Sequence, residues 1–253
     1  MTVSARSVLA AGASAGGVEA LQALVGGLPA GLPAAVALVL HIPPTSRSRL
    51  PEILARAGPL PAAHAEDGEP LVEGRIYVAP PDRHLVLRGR RCVLTRCPRE
   101  NQARPAIDPL FRSAAIEFGQ HAVAVVLSGA RADGVAGAAA VSAAGGTVFV
   151  QDPAEAVFSS MPAQTIAGDH LDRVLPLAEI APSVTRMLVH LSLEADVSKN
   201  DNDDMSVETR YALLDRETIE RAQPPGTPSA FSCPAFGGVL WADFLLERDV
   251  RSE

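Results

Sequence analysis

Aromatic residues make up only 4% of the 253 residues, which removes the stacking platforms that hold single-stranded nucleic acid. Basic charge is also short. Lys and Arg number 22 against 29 Asp and Glu, a net charge of −7, so no global positive field draws a polyanion or an anionic membrane. Cysteine is limited to Cys92, Cys97 and Cys233. An odd, sparse set argues against a disulfide framework and for a reducing compartment. Cys92 and Cys97 lack a second ligand pair at zinc spacing and read as ordinary strand residues. No apolar run reaches the roughly 20 residues needed to cross a bilayer. The first such run, Val8–Ala13, is too short for a secretory signal and has no basic leader. The expectation is a soluble, cytoplasmic protein with no nucleic-acid partner, no membrane insertion and no metal.

What is present is apolar sequence in a repeating rhythm. Hydrophobic residues are 47% of the chain, ample for a core. Ser7–Ala13 reads as a buried strand. Gly17–Leu28 places Val18, Leu21, Leu24 and Val25 at helical spacing. Ala35–Leu40 is a second buried strand, closed by Pro43-Pro44, and Ser46–Ala57 a second helix. Strand alternating with helix predicts a parallel sheet covered by helices. Arg75–Ala79, His84–Arg88 and Cys92–Thr95 read as an antiparallel meander inserted in it. Ile107–Phe118 is predicted helical, His121–Leu127 a buried strand, Gly134–Ala144 a helix, Thr147–Val150 a strand and Leu177–Leu191 the last helix. Residues 1–192 are therefore expected to form one α/β domain. Residues 193–253 read as an irregular extension: an acidic linker at Asp196–Asp204, an amphipathic helix over Val207–Ala222, and a short apolar patch at Phe231–Leu246.

In open parallel sheets, ligands collect beyond the carboxyl ends of the strands, near a topological switch. Three reactive residues fall at such ends. Ser14 follows the first strand within Gly12-Ala13-Ser14-Ala15-Gly16-Gly17, His41 follows the second, and Asp133 lies in the loop after His121–Leu127. A serine hydroxyl needs a base to take its proton, histidine titrates near neutrality, and a carboxylate holds the imidazole in the required tautomer. Gly12–Gly16 matches G-x-S-x-G, and the helix that follows offers amides and a positive dipole end to an oxyanion. Each feature has a plainer reading: a tight small-residue turn, a loop histidine, and an aspartate capping the helix after it. The other histidines, His64, His84, His121, His170 and His190, have no similarly placed partner and read as structural. A dinucleotide would also suit the glycine-rich turn. It requires an acid at the end of the second strand, where His41 stands, and no Walker lysine follows the glycines.

In chain order, AAGASAGGVEAL, LVLHIPP, EGRIYVAPPDRHLVL, RPAIDPLFRSAA, AVVLSGARADGVAGAAAV and VFSSMPAQTI resemble the catalytic domain of CheB-type protein-glutamate methylesterases, over roughly Ser7–Leu191. The resemblance implies a doubly wound α/β sheet and a Ser-His-Asp triad with Ser14 as nucleophile, His41 as base and Asp133 as its orienting acid. It implies no cofactor. It implies hydrolysis of γ-glutamyl methyl esters on chemoreceptor cytoplasmic helices, with deamidation of glutamines there, in chemotaxis or a related two-component pathway. A receptor methyltransferase or a separate response regulator would be further partners. The amides of Ala15 and Ala130 would form the oxyanion site, and Arg104, Asp108, Arg131 and Met161 match blocks near the family's substrate site.

The departures are specific. Regulated members carry an N-terminal receiver domain, whereas Ser7–Ala13 is already the catalytic strand, so a stand-alone form is expected. The family's G-M-G-x-D-G loop reads Gly129-Ala130-Arg131-Ala132-Asp133-Gly134. If the glycine replaced by Arg131 needs positive φ, Arg131 is strained. The family's C-P-x-C-G-G tail has Phe236 for its second cysteine, so no zinc half-site is expected there. The altered 130–132 loop keeps a second reading open, a catalytically silent signalling module of the same fold.

Overall fold

The computed structural model describes residues 4–168, 170–193, 227–232 and 239–242. Its centre is a parallel sheet whose strands follow the order β3-β4-β2-β1-β7-β8-β9. These are β1 (Val8–Ala13), β2 (Ala35–Leu40), β3 (Ala62–His64), β4 (Ile76–Val78), β7 (Ala122–Val126), β8 (Thr147–Gln151) and β9 (Arg173–Leu175). Each pairing between neighbours is parallel.

Strands in the middle of such a sheet are buried on both faces, so alternation is invisible in their sequence but governs their packing. Val8 and Ala10 of β1 point into one core, with Leu110 and Phe111; Leu9 and Ala11 point into the other, with Leu21 and Leu24. Helices α1 (Gly17–Gly26), α2 (Leu50–Ala57) and α6 (Leu177–Leu193) cover the second face. Helices α3 (Ile107–Phe118), α4 (Val135–Ala143) and α5 (Ser160–Ala167) cover the first. In α1 the buried residues Gly17, Ala20, Leu21, Leu24 and Val25 form one stripe. Each fully buried leucine contributes about 1.5–3 kcal/mol.

The expected meander is corrected. Residues 76–78 are β4 of the main sheet, paired in parallel with β2 and β3. Only β5 (His84–Arg88) and β6 (Arg91–Thr95) form an antiparallel hairpin, outside that sheet. It packs through Leu85, Leu87 and Cys92 into the α3-side core, and the Leu87 amide donates to Ser113 Oγ at 3.0 Å. Cys97 is buried beyond the end of β6 rather than within it. Three short elements, β3, β9 and α5, were not predicted. Helix α2 starts at Leu50 instead of Ser46, with Pro51 in its first turn, where a missing N–H costs nothing. In the extension, β10 (Thr227–Ser232) and β11 (Val239–Ala242) pair antiparallel. The expected linker, the helix over 207–222 and Cys233 lie outside the described residues. No described helix is long and apolar enough to cross a membrane.

Chain direction splits at β1. Strand β2 lies on one side of it and β7 on the other, so the switch point sits at the carboxyl ends of these three strands.

Candidate active site

Register brings the first two site residues together. Ala13 pairs with Leu40, and the His41 amide donates to Ala13 O at 3.1 Å. The residue after each strand end is Ser14 or His41, so the two are neighbours by ladder geometry. On the other side of β1, the Ser14 amide donates to Ser128 O at 3.0 Å, which binds the Ser14 turn to the loop after β7.

The turn needs glycine at one place above all. Gly16 has φ +68, and a Cβ there would lie 2.9 Å from Ser128 Oγ and from Val157 Cβ. Only glycine takes both the left-handed backbone and the close approach without cost. Helix α1 starts at the next residue, so Ser14 sits just ahead of its amide end.

His41 lies between the other two residues. Its Nδ1 is 3.2 Å from Ser14 Oγ, and its Nε2 is 2.6 Å from Asp133 Oδ2. The ring nitrogens are exchanged relative to the chymotrypsin pattern, where the outer nitrogen faces serine. The chemistry is unaffected: an Nε2–H donated to Asp133 leaves the Nδ1 lone pair facing the hydroxyl.

Asp133 is fully buried and saturated with donors. Besides His41, it accepts the amides of Ile107 at 2.7 Å and Asp108 at 3.1 Å, and the Asn101 side-chain amide at 2.9 Å. Burial works to raise its pKa, but the His41 hydrogen bond and charge, with the two backbone amides, hold the carboxyl below its ordinary range. Asp133 therefore does cap a helix, though not the one that follows it. It caps α3, the helix packed beside α4 on the same face of the sheet, and the amide end of that helix favours its charged form.

Helix α4 is capped from α3 in return. Asp108 Oδ1 accepts the amides of Gly134 at 3.0 Å and Gly137 at 2.7 Å. Burial, then the neighbouring Asp133 charge, pushes the Asp108 carboxyl up to about 7. Of the other residues expected near the substrate, Arg104 turns to the protein, donating through Nε and Nη2 to Asp82 Oδ1 at 2.9 and 2.6 Å and through Nη1 to Cys97 O at 2.8 Å. Met161 is buried beneath Gly129, and its amide donates to Gly129 O at 2.9 Å. A Cβ on Gly129 would fall 2.6 Å from Met161 Cε and 3.0 Å from Ser14 Cβ. Arg131 is exposed at the rim and donates to Gln102 Oε1. It has φ +75, the strained conformation expected where the family has glycine.

Ala15 follows Ser14 in the chain, and Ala130 follows Gly129, whose Cβ position lies 3.0 Å from Ser14 Cβ. Among the described residues neither donates a backbone hydrogen bond. Sequence reasoning missed Asn101, whose loop carries no motif; His84 has the structural use expected of it. That ring is fully buried, bridging Pro98 O at 3.0 Å and the Ala106 amide at 3.2 Å, and burial lowers its pKa.

This arrangement has close counterparts among known proteins. The CheB methylesterase family model matches residues 9–184. A protein-glutamate methylesterase/protein-glutamine glutaminase of Paramagnetospirillum magneticum is 39% identical over 185 residues, covering 71% of this chain and 49% of that protein. One from a Nocardioides species is 40% identical over 185 residues, covering 72% and 50%. The chain thus spans about half the length of the curated relatives it matches. The crystal structure of the Thermotoga maritima CheB methylesterase catalytic domain superposes with a TM-score of 0.70 at 33% identity, covering 73% of this chain and all of that one. With a parallel sheet of this order, these relatives and a family match over most of its length, the chain belongs to the CheB methylesterase family.

Proposed function

We propose that this chain is a serine hydrolase that demethylates glutamate methyl esters on chemoreceptor cytoplasmic helices, and deamidates glutamines there. The observation that carries the reading is His41 hydrogen-bonded to Ser14 Oγ through one ring nitrogen and to buried Asp133 through the other. The names of the relatives support the ester and amide substrates. The cytoplasm is the compartment this substrate requires, and a receptor methyltransferase or separate response regulator would share the pathway.

In the proposed reaction, Ser14 Oγ attacks the ester carbonyl while His41 Nδ1 takes the hydroxyl proton. The negative oxygen is received by the amides of Ala15 and Ala130, each worth a few kcal/mol when well aimed. Collapse breaks the C–O bond, and His41 returns the proton to the departing methanol. Water then attacks the acyl-enzyme, losing a proton to His41; collapse breaks the bond from the acyl carbon to Ser14 Oγ, His41 returns the proton to that oxygen, and the released acid ionises to the glutamate carboxylate. A glutamine substrate releases ammonia by the same route. Asp133 keeps the Nε2–H tautomer throughout and stabilises the imidazolium. No cofactor enters this scheme. Arg131, exposed at the rim, would meet an acidic receptor segment, while Arg104, Asp108 and Met161 serve the site by holding its loops.

Methanol release from methylated receptor tests the reading. Ser14→Ala is expected to abolish release with the fold intact. Undiminished release by that variant would leave the triad without a role and return the chain to the signalling-module reading.

A further inference from the structure

Asn101 lies outside the Ser14–His41–Asp133 set, yet its side-chain amide spends both protons on the carboxylates behind it. Nδ2 is 2.9 Å from Asp133 Oδ1 and 2.8 Å from Asp108 Oδ2. An NH2 group has two protons, and here one goes to each acid. Two adjacent buried carboxyls repel when both are charged, and a bridging donor offsets that repulsion at Asp108 Oδ2 and at Asp133 Oδ1, which also accepts the Asp108 amide at 3.1 Å. Asp133 Oδ2 is held by His41 and the Ile107 amide. Asp108 Oδ1 is held by the Gly134 and Gly137 amides.

The loop around Asn101 is built to present it. Glu100 accepts two hydrogen bonds from Arg112 Nη2, at 2.9 and 2.8 Å. Pro98 O accepts from His84, and Arg104 ties the loop to Asp82 and Cys97 O. Asn101 itself has φ +49, a region in which asparagine is tolerated better than most residues. An exposed residue held on a pinned loop, in a conformation that suits its type, with both amide protons aimed inward, is not explained by packing.

We infer that Asn101 is a positioning residue of the hydrolase. Its amide clamps Asp133 and Asp108 together, so that Asp133 Oδ2 stays on His41 Nε2 while the Ser14 side of the ring stays unprotonated. The inference rests on the proposed triad. The titratable and charged groups around the clamp are His41 and Asp133 at the site, Asp108 and Arg112 from α3, and Glu100 from the loop itself.

The test uses the whole chain and a fluorophosphonate probe, which reports Ser14 reactivity without needing a receptor. Asn101→Gly removes the amide and suits the left-handed backbone. Asn101→Asp keeps the shape and replaces the donor with a third carboxylate. In Asn101→Gly the maximal labelling rate is expected to fall about 10-fold or more at unchanged half-saturating probe concentration. The acid limb of its pH profile should move to higher pH, because an Asp133 stripped of a donor holds the imidazolium more tightly. In Asn101→Asp the limb should move further in the same direction. Rates within twofold of wild type in Asn101→Gly, a loss with an unmoved acid limb, or a loss carried by half-saturation alone would overturn the inference. A Ser14-dependent label without methanol release would remove the esterase reading while still deciding this one. Absence of Ser14-dependent labelling would overturn both.

Discussion

Asp108 and Asp133 cap each other's helices. Asp133, two residues ahead of α4, accepts the first amides of α3, while Asp108, in the first turn of α3, accepts amides at the start of α4. The loop that carries Asp133 is thereby fastened to α3 by hydrogen bonds in both directions. This interlock explains how a loop that departs from the family pattern at Ala130 and Arg131 still delivers its aspartate to His41.

The interlock should be visible in the pH dependence of stability. An unfolded Asp108 releases its proton near the ordinary aspartate pKa, whereas the folded one retains it to about 7. Between those values the native state binds more protons, so the contribution of Asp108 to stability falls as pH rises through the window. Asp133 works in the opposite sense. Its depressed folded pKa gives stability above the unfolded value that is lost as pH falls below it. Urea unfolding of Asp108→Asn from pH 4.5 to 7.5 should lack the downward contribution seen in wild type. An identical slope in the two proteins would mean that Asp108 is charged throughout.

Asp133→Asn should keep the fold and lose the chemistry. An amide in that place can present its N–H to His41 and select the wrong tautomer. In the chymotrypsin precedent such a change lowers kcat about 10⁴-fold, and a loss of about 10³–10⁴-fold is expected here. Methanol release in single-turnover experiments measures it. A loss below tenfold would mean that the acid does not orient His41.

Gly129→Ala should damage the nucleophile more than the fold. Both backbone groups of Gly129 are engaged, the amide with Phe158 O and the carbonyl with the Met161 amide, each at 2.9 Å. The backbone therefore cannot retreat. The Met161 thioether end can move aside, but Ser14 Cβ cannot. We expect at least a tenfold fall in Ser14 labelling by a fluorophosphonate. Adding Met161→Ala should recover stability without recovering the labelling rate. Full recovery of both would place the clash on the methionine side alone.

Arg131→Gly should leave the protein as stable as wild type or more so. A left-handed conformation costs an ordinary L-residue roughly 1–2 kcal/mol relative to glycine. That relief is partly offset by the greater freedom of glycine in the unfolded chain. Arg131→Val, β-branched at the same φ, should lower the melting temperature by several degrees. A calorimetric scan of the three proteins is sufficient. A glycine variant clearly less stable than wild type would show that the Gln102 contact outweighs the strain.

The alternating strands and helices, the bounds of β2 and α3, and the standing of Ser14, His41 and Asp133 beyond strand ends were legible in the sequence, because buried parallel strands are continuous apolar runs and reactive residues collect at their ends. Short edge strands such as β3 and β9 carry three residues each, too few for any periodicity. The strand at 76–78 looked like part of a meander because pairing direction is not written in three residues; parallel contact with β2 decided it. The plainer reading of Asp133 makes it a cap of the helix that follows it, since local spacing offers only that partner. Its actual partners are amides at Ile107 and Asp108 and the side chain of Asn101, brought to it across 25 to 32 positions of chain. The sequence by itself determined the sheet-and-helix rhythm and which three residues stand at strand ends. Only the tertiary structure decided which ring nitrogen faces serine, which helix end holds the aspartate, and which side chain closes over the pair. Hydrogen bonds between distant segments are chosen by how the layers pack, and local pattern carries no record of that choice.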